Sequence, residues 1–301
     1  MKVTVTGATG LIGSALIKAL KERGDEVTVL SRDPDRASRT LGVEAVAWDP
    51  MTEPAPSAAI RGRDGIVHLA GEPVAQRWTA EAKRAIRASR DVGTANLVAG
   101  IAASEPRPAV LVSSSAVGYY GKHGDEIIDE SSPAGTDFLA EVCVEWERRA
   151  RAAEELGLRV VIVRTGVVLD ADGGALKTML APFKAGVGGP VAGGRQYMPW
   201  IHVDDIVGIY LAALDGDGWS GPVNGTAPEP VTNADFSKAL GGALGRPAVL
   251  PVPAFAIRAL YGEMAEIVTE GQRAVPARTL EFGYSFAKPE LGPALSSALG
   301  R

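Results

Sequence analysis

A doubly wound α/β fold, one parallel sheet with helices on both faces and a smaller C-terminal unit beside the cleft, is the architecture this sequence predicts. Three observations carry it. A β-branched run, Val3 to Thr6, breaks at Gly7 and passes into a helical pattern through Leu11, Ile12, Ala15, Leu16, Ala19 and Leu20. Strand-like and helix-like stretches then alternate through the first two-thirds of the chain, as parallel strands joined by crossover helices should. Beyond Val168 the alternation fails, and Pro247, Pro251 and Pro253 mark a boundary between residues 1–248 and 249–301.

The first strand and helix are separated by Gly7, Gly10 and Gly13. A glycine turn of this kind lets backbone N–H groups and a helix N-terminus approach a pyrophosphate, since no Cβ blocks the way. Gly7, Thr9, Gly10, Leu11, Ile12 and Gly13 are therefore candidate dinucleotide contacts. The second strand, Glu26–Leu30, ends in Ser31-Arg32-Asp33-Pro34. At that tip an acid suits the ribose hydroxyl of NAD, whereas an arginine suits the 2′-phosphate of NADP. Arg32 reads as a fork on that phosphate with Ser31 as a hydroxyl donor, which favours NADP(H). The other reading leaves Arg32 in solvent and gives the ribose to Asp33.

A third strand is expected over Val43–Trp48 and a fourth over Gly65–Gly71, ending in small residues. A helix over 80–103 precedes a fifth strand at Ala109–Ser113, and a helix over 137–156 precedes a sixth at Leu158–Val163. Ligands of such sheets bind outside the carboxyl ends of the strands. That rule selects Leu69, Ala70, Gly71, Glu72, Ser113, Ser115 and the Arg164–Val168 stretch. Leu69-Ala70-Gly71 either lets backbone pass an adenine and its ribose or simply ends the strand. Residues 184–194 hold five glycines and a proline, a composition suited to a lid within 176–200. In Gln196–Asp205 a short strand runs into a helix capped by Asp204 or Asp205. Trp200 and His202 pack there or wall a pocket. The C-terminal unit is expected to hold a helix around 256–267 and a terminal one near 293–299.

The chain has 301 residues, enough for about two domains. Its net charge of −5 offers no basic field for nucleic acid or an anionic membrane surface. A single cysteine, Cys143, excludes an intrachain disulfide and a cysteine metal site, and His68, His123 and His202 are too scattered to suggest zinc. The N-terminus enters a core strand directly and no apolar run reaches ~18 residues, so a cytoplasmic protein is expected.

With these residues in place, the chain resembles the extended short-chain dehydrogenase/reductases. Within them it is most similar to an epimerase-like branch that includes nucleoside-diphosphate-sugar epimerases and proteins of the cell-division-inhibitor type. The carrying motifs are TGATGLIG, SRD, HLAGEPV, SSSAVGYYG, RTGVVL, GGPVAGGRQYMPWIHVDD and EGQRAVPARTL, spread over essentially the whole length. The resemblance implies a Rossmann fold that binds NADP(H), with Ser31, Arg32, Leu69, Ala70, Arg90 and Val168 lining the cofactor. It places Ser115 at the position of the serine that holds a substrate oxygen. It also calls for a Tyr-x-x-x-Lys dyad on the next helix, because a phenol with pKa ~10 needs cationic neighbours to act as a base. With the family's downstream glutamate set on Glu145, Asp137 and Glu141 occupy the dyad positions, and the dyad is missing. Two expectations follow. In the first, Tyr119 or Tyr120, close to Lys122, donates the proton in an NADP(H)-dependent oxidoreductase or epimerase-like enzyme. Its substrate is small and polar, of sugar-derived type, and is walled by Lys184, Gln196, Trp200 and His202. In the second, the chain is a non-catalytic NADP(H)-binding sensor or regulator. The resemblance also implies a homodimer through the helices at 80–103 and 137–156, unless their apolar faces are buried within one chain.

Overall fold

The computed structural model describes all residues, 1–301. Seven parallel strands form the central sheet: β1 (Lys2–Thr6), β2 (Glu26–Ser31), β3 (Glu44–Ala47), β4 (Gly65–His68), β5 (Val110–Ala116), β6 (Arg159–Thr165) and β7 (Gly221–Gly225). Their order across the sheet is β3-β2-β1-β4-β5-β6-β7, so the winding reverses between β1 and β4. The labelled helices are α1 (Leu11–Arg23), α2 (Pro34–Leu41), α3 (Ala80–Ala102), α4 (Phe138–Arg151), α5 (Gly174–Lys184), α6 (Val203–Asp215), α7 (Asn233–Leu244) and α8 (Ala254–Tyr261).

Alternate strand residues feed two cores, which is why the central strands read as continuous apolar runs. Val5, Val67, Val112 and Val163 pack against Leu16 and Leu20 of α1 and Ile206 and Ile209 of α6. Ile66, Leu111 and Ile162 pack on the other face against Leu97, Ile101 and Ala150. The apolar faces of α3 and α4 are thus turned into the chain's own interior. Val92 and Val144 remain exposed on them.

Strand ends differ from expectation where pairing extends or stops them. β5 runs to Ala116 because its ladder with β6 continues to Ala116↔Thr165. β4 stops at His68, and the sixth strand continues to Thr165. The helix expected over 137–156 is α-helical to Arg151 and tightens to a 3₁₀ turn over Ala152–Leu156. No helix is long and apolar enough to cross a membrane.

The C-terminal segment is sewn onto the large unit. Residues Arg273–Ala274 pair with Ile127–Ile128, and Ala294 and Leu295 join a core with Phe236 and Leu240 of α7. The buried Asp205 carboxylate accepts from the backbone N–H groups of Ala287 (2.7 Å) and Lys288 (2.9 Å). Asp205 therefore anchors this segment and does not cap α6. The cap is His202, whose Nδ1 accepts from the N–H of Asp204 at 3.1 Å. The glycine-rich stretch expected as a lid is tied to its surroundings. Val252 N–H donates to the Pro190 carbonyl, Ala192 N–H to the Val252 carbonyl, and Val191 N–H to Asn233 Oδ1. A lid motion of these residues has to break those bonds.

His68, at the end of β4, is fully buried between the hydroxyls of Thr6 (2.7 Å) and Thr94 (3.0 Å). Burial first, and the Arg90 charge second, lower its pKa from 6.5 to about 4. The folded chain thus holds a neutral ring in the window where the unfolded chain binds a proton. Stability should fall as pH drops from 6.5 toward 4, by a quantity on the order of 3 kcal/mol from this group. Denaturant midpoints across that window should fall less steeply for His68→Asn than for the wild type. Parallel slopes would disprove the assignment.

Candidate active site

The carboxyl ends of β1, β2 and β4 enclose a crevice of about 550 Å³ at the winding reversal. Gly7 adopts φ +67°, and a Cβ there would sit 2.5 Å from the Leu69 carbonyl carbon. A Cβ on Gly13 would overlap the Gly7 carbonyl oxygen. Both positions demand glycine, and the cradle they leave is one that a dinucleotide backbone fits. Gly10 serves as N-cap of α1 and supplies no side-chain cap, so the first-turn N–H groups are left for an anion. Thr6 Oγ1 accepts from the N–H groups of Leu69 and Ala70, both at 3.2 Å, and holds that wall in place. Leu11 directs its side chain toward Gly173 and Gly174 and Ile12 packs against the core, so neither side chain lines the crevice.

At the far end of the crevice, Ser31 Oγ accepts from the Asp33 N–H at 3.1 Å, and Asp33 Oδ1 accepts from the Arg36 N–H at 3.0 Å. Asp33 is the N-cap of α2, which commits the acid that could otherwise take a ribose hydroxyl. Arg32 and Arg36 both line this corner. Arg36 escaped the sequence-level site. Its signal was the i, i+4 spacing from Arg32 across a helix start.

Arg90 lies at the other end. Its Nη1 donates to the carbonyls of Glu72 (3.0 Å) and Ile86 (3.2 Å), and the guanidinium stacks 4.8 Å from the centre of the Trp146 ring. Burial lowers its pKa from the usual arginine value. Gly71 and Glu72 line the crevice beside it. Two other candidates stand apart. Ser113 is fully buried in β5, and Val168 packs against the core of the α1 and α6 face.

Arg90 borders a second cleft, of about 360 Å³, at the carboxyl ends of β5 and β6. Ala116, Gly118, Thr165 and Gly166 form its floor, and Leu139, Val142, Cys143 and Trp146 present one face of α4 to it. Residues 266–268 and 270–272 add further lining. None of Lys184, Gln196, Trp200 or His202 lines it. Trp200 is buried and its Nε1 donates to the Glu229 carbonyl at 3.1 Å. His202 is the α6 cap, Gln196 Nε2 bridges the carbonyls of Val191 and Val268, and Lys184 is exposed at the end of α5.

The serine and tyrosines also turn away from the cleft. Ser115 Oγ donates to Glu147 Oε1 at 2.8 Å, and Glu147 takes both Nε (2.8 Å) and Nη2 (2.9 Å) of Arg164. Arg164 Nη1 donates to the Tyr120 hydroxyl (3.1 Å), which itself donates to Asn224 Oδ1 at 2.7 Å. Burial pushes the Tyr120 phenol up to about 12. Tyr119 lies flat under the Arg164 guanidinium, 3.4 Å from its ring centre. These groups build a polar core, so the structure does not bring Ser115, Tyr119 or Tyr120 to a reacting atom.

The same core corrects the helix register. The inward glutamate of α4 is Glu147, whereas Glu145 pairs with Arg148 and Arg149 near the surface. Counting back from Glu147, the positions eight and four residues earlier are Leu139 and Cys143, both in the cleft wall. Asp137 instead caps α4 through the Ala140 N–H (3.0 Å), at the cleft rim, and Glu141 pairs with Arg87 at 2.9 Å. Burial pushes the Cys143 thiol up to about 11. In either register the face lacks tyrosine and lysine.

The profile of the NAD dependent epimerase/dehydratase family matches residues 3–223. The chain belongs to that family. A domain of unknown function, DUF1731, matches residues 252–298 of this epimerase-family chain. Among its relatives is the cattle epimerase family protein SDR39U1, 41% identical over 99% of this chain and 100% of that protein. A chloroplastic homologue from Arabidopsis thaliana is 43% identical over 95% of this chain and 83% of that protein. The crystal structure of human SDR39U1 isoform 2 with NADPH superposes with a TM-score of 0.90 at 38% identity, covering 100% of both chains. A Bacillus cereus UDP-glucuronic acid 4-epimerase is alike in fold, with a TM-score of 0.80 at 18% identity.

Proposed function

We propose that this epimerase-family chain binds NADPH in the crevice and uses it to reduce a small molecule seated in the adjoining cleft. The observation that carries this reading is the link between the two spaces: Arg90, in the wall of the cleft, donates to the carbonyl of Glu72, in the wall of the crevice. When bound, NADPH supplies a hydride. The chain's own groups hold it: the open N-terminus of α1 faces the pyrophosphate, and Arg32 and Arg36 face the 2′-phosphate. The NADPH bound to the human relative supports the choice of cofactor. The absence of a phenol and lysine from the α4 face supports a second reading, a non-catalytic NADPH-binding regulator.

Cofactor affinities measured by fluorescence titration test the first part. Arg32→Ala should weaken NADPH binding roughly tenfold to a hundredfold, as expected for a charge-assisted contact, and leave NADH almost unchanged. Arg36→Ala should act in the same direction with a smaller effect. Equal losses for both cofactors would remove the phosphate assignment. Tight NADPH binding without turnover over a broad carbonyl panel would favour the regulator.

A further inference from the structure

We propose that the second cleft takes a planar conjugated dicarbonyl of the quinone class, and not a sugar nucleotide. The inference rests on the reading above and adds the substrate's chemistry. Three independent features of the cleft support it.

The first is its surface. Trp78, Phe138, Trp146, Met179 and Met198 contribute to the lining, with Trp78 and Phe138 packed edge to face at 5.1 Å. Flat rings and thioethers match the face of a conjugated ring. The second is charge. The titratable groups at this cleft include three carboxylates, Asp137, Glu266 and Glu270, against Lys122 and Arg90. Arg90 is already engaged by the carbonyls of Glu72 and Ile86. A nucleotide diphosphate would meet more like charge than opposite charge there.

The third is proton supply. Hydride addition to an ordinary ketone leaves an alkoxide, which is far more basic than a phenolate (pKa ~10) and needs an acid beside it. On the α4 face the positions available for such an acid are Leu139 and Cys143, an apolar side chain and a buried thiol whose proton is held tightly, and the phenol that lines the cleft, Tyr197, comes from the strand Tyr197–Met198, beside Arg273. Reduction of a quinone has no such need. The reduced nicotinamide loses a hydride and becomes oxidised, and the quinone gains two electrons and becomes a phenolate-type anion. That anion already holds the hydrogen the hydride brought, and takes one proton from solvent.

The test uses the intact chain, NADPH, menadione as the quinone, and UDP-glucose and UDP-glucuronic acid as the alternatives. Menadione should quench tryptophan fluorescence of the NADP⁺-bound protein saturably, and NADPH should be consumed with menadione but not with either sugar nucleotide. Leu139→Trp fills the cleft and should cut menadione turnover and quenching by about tenfold or more, with NADPH affinity changed less than about twofold. If that variant fails to fold, Ala116→Leu, a smaller intrusion from the strand side, is expected to give the same split. Normal NADPH binding with no saturable quenching, or with sugar nucleotides preferred, would overturn the quinone proposal and leave the cofactor reading standing. Failure to bind NADPH would overturn both.

Discussion

Glu147→Gln is expected to cost about 3–5 kcal/mol of folding stability, measured by chemical denaturation, because it leaves the Arg164 guanidinium buried and unpaired. Arg164 and Glu147 are 3% and 5% exposed, and the carboxylate holds two guanidinium nitrogens together with the Ser115 hydroxyl. Through Tyr120 the cluster reaches Asn224, whose Nδ2 donates to the Val275 carbonyl and whose N–H donates to Glu130. Glu130 in turn accepts from the Arg278 N–H, so the C-terminal unit is anchored through the same network. Removing both charges at once, as in Glu147→Leu with Arg164→Met, should cost less than the single change, since no charge is stranded. Tyr120→Phe should cost only about 1 kcal/mol and spare NADPH binding. A loss below about 1 kcal/mol for Glu147→Gln would show that water reaches the pair and that the cluster is not a core.

Gly7→Ala is expected to lower NADPH affinity by about tenfold or more while also destabilising the chain. The left-handed conformation alone costs an L-residue about 1–2 kcal/mol. The added methyl also meets the Leu69 carbonyl carbon at 2.5 Å, so the wall between β1 and β4 must move apart. Titration of the purified variant with NADPH, alongside thermal melting, separates the two losses. Wild-type affinity in a folded Gly7→Ala protein would mean that the cofactor does not approach this turn.

The parallel sheet and the crevice at its winding reversal were legible because their signals are local. Val3 to Gly13 specify strand, tight turn and helix within eleven residues, and Ser31-Arg32 follow at the end of the next strand. The placing of the serine and the tyrosines was not legible, for a reason equally physical. Which face of β5 a serine takes, and which of two glutamates on α4 turns inward, depends on packing between elements distant in sequence. Ser115, Glu147 and Arg164 are brought together by the β5–β6 ladder and the seating of α4 upon it. The motif SSSAVGYYG therefore marks a real strand end, yet the residues it delivers to the cleft are Ala116, Val117, Gly118 and Gly121. Lys184, Gln196, Trp200 and His202 likewise sit near a site in sequence order while their side chains are exposed or committed elsewhere.

Periodicity and glycine spacing thus determined the winding of the chain and the crevice at its reversal, since each is set by neighbours a few residues away. Only the folded chain decided what faces the second cleft. Burial selects Leu139, Cys143 and Trp146 for that wall and draws the serine, the tyrosines and the glutamate into a hydrogen-bonded interior, because a buried arginine must be paired.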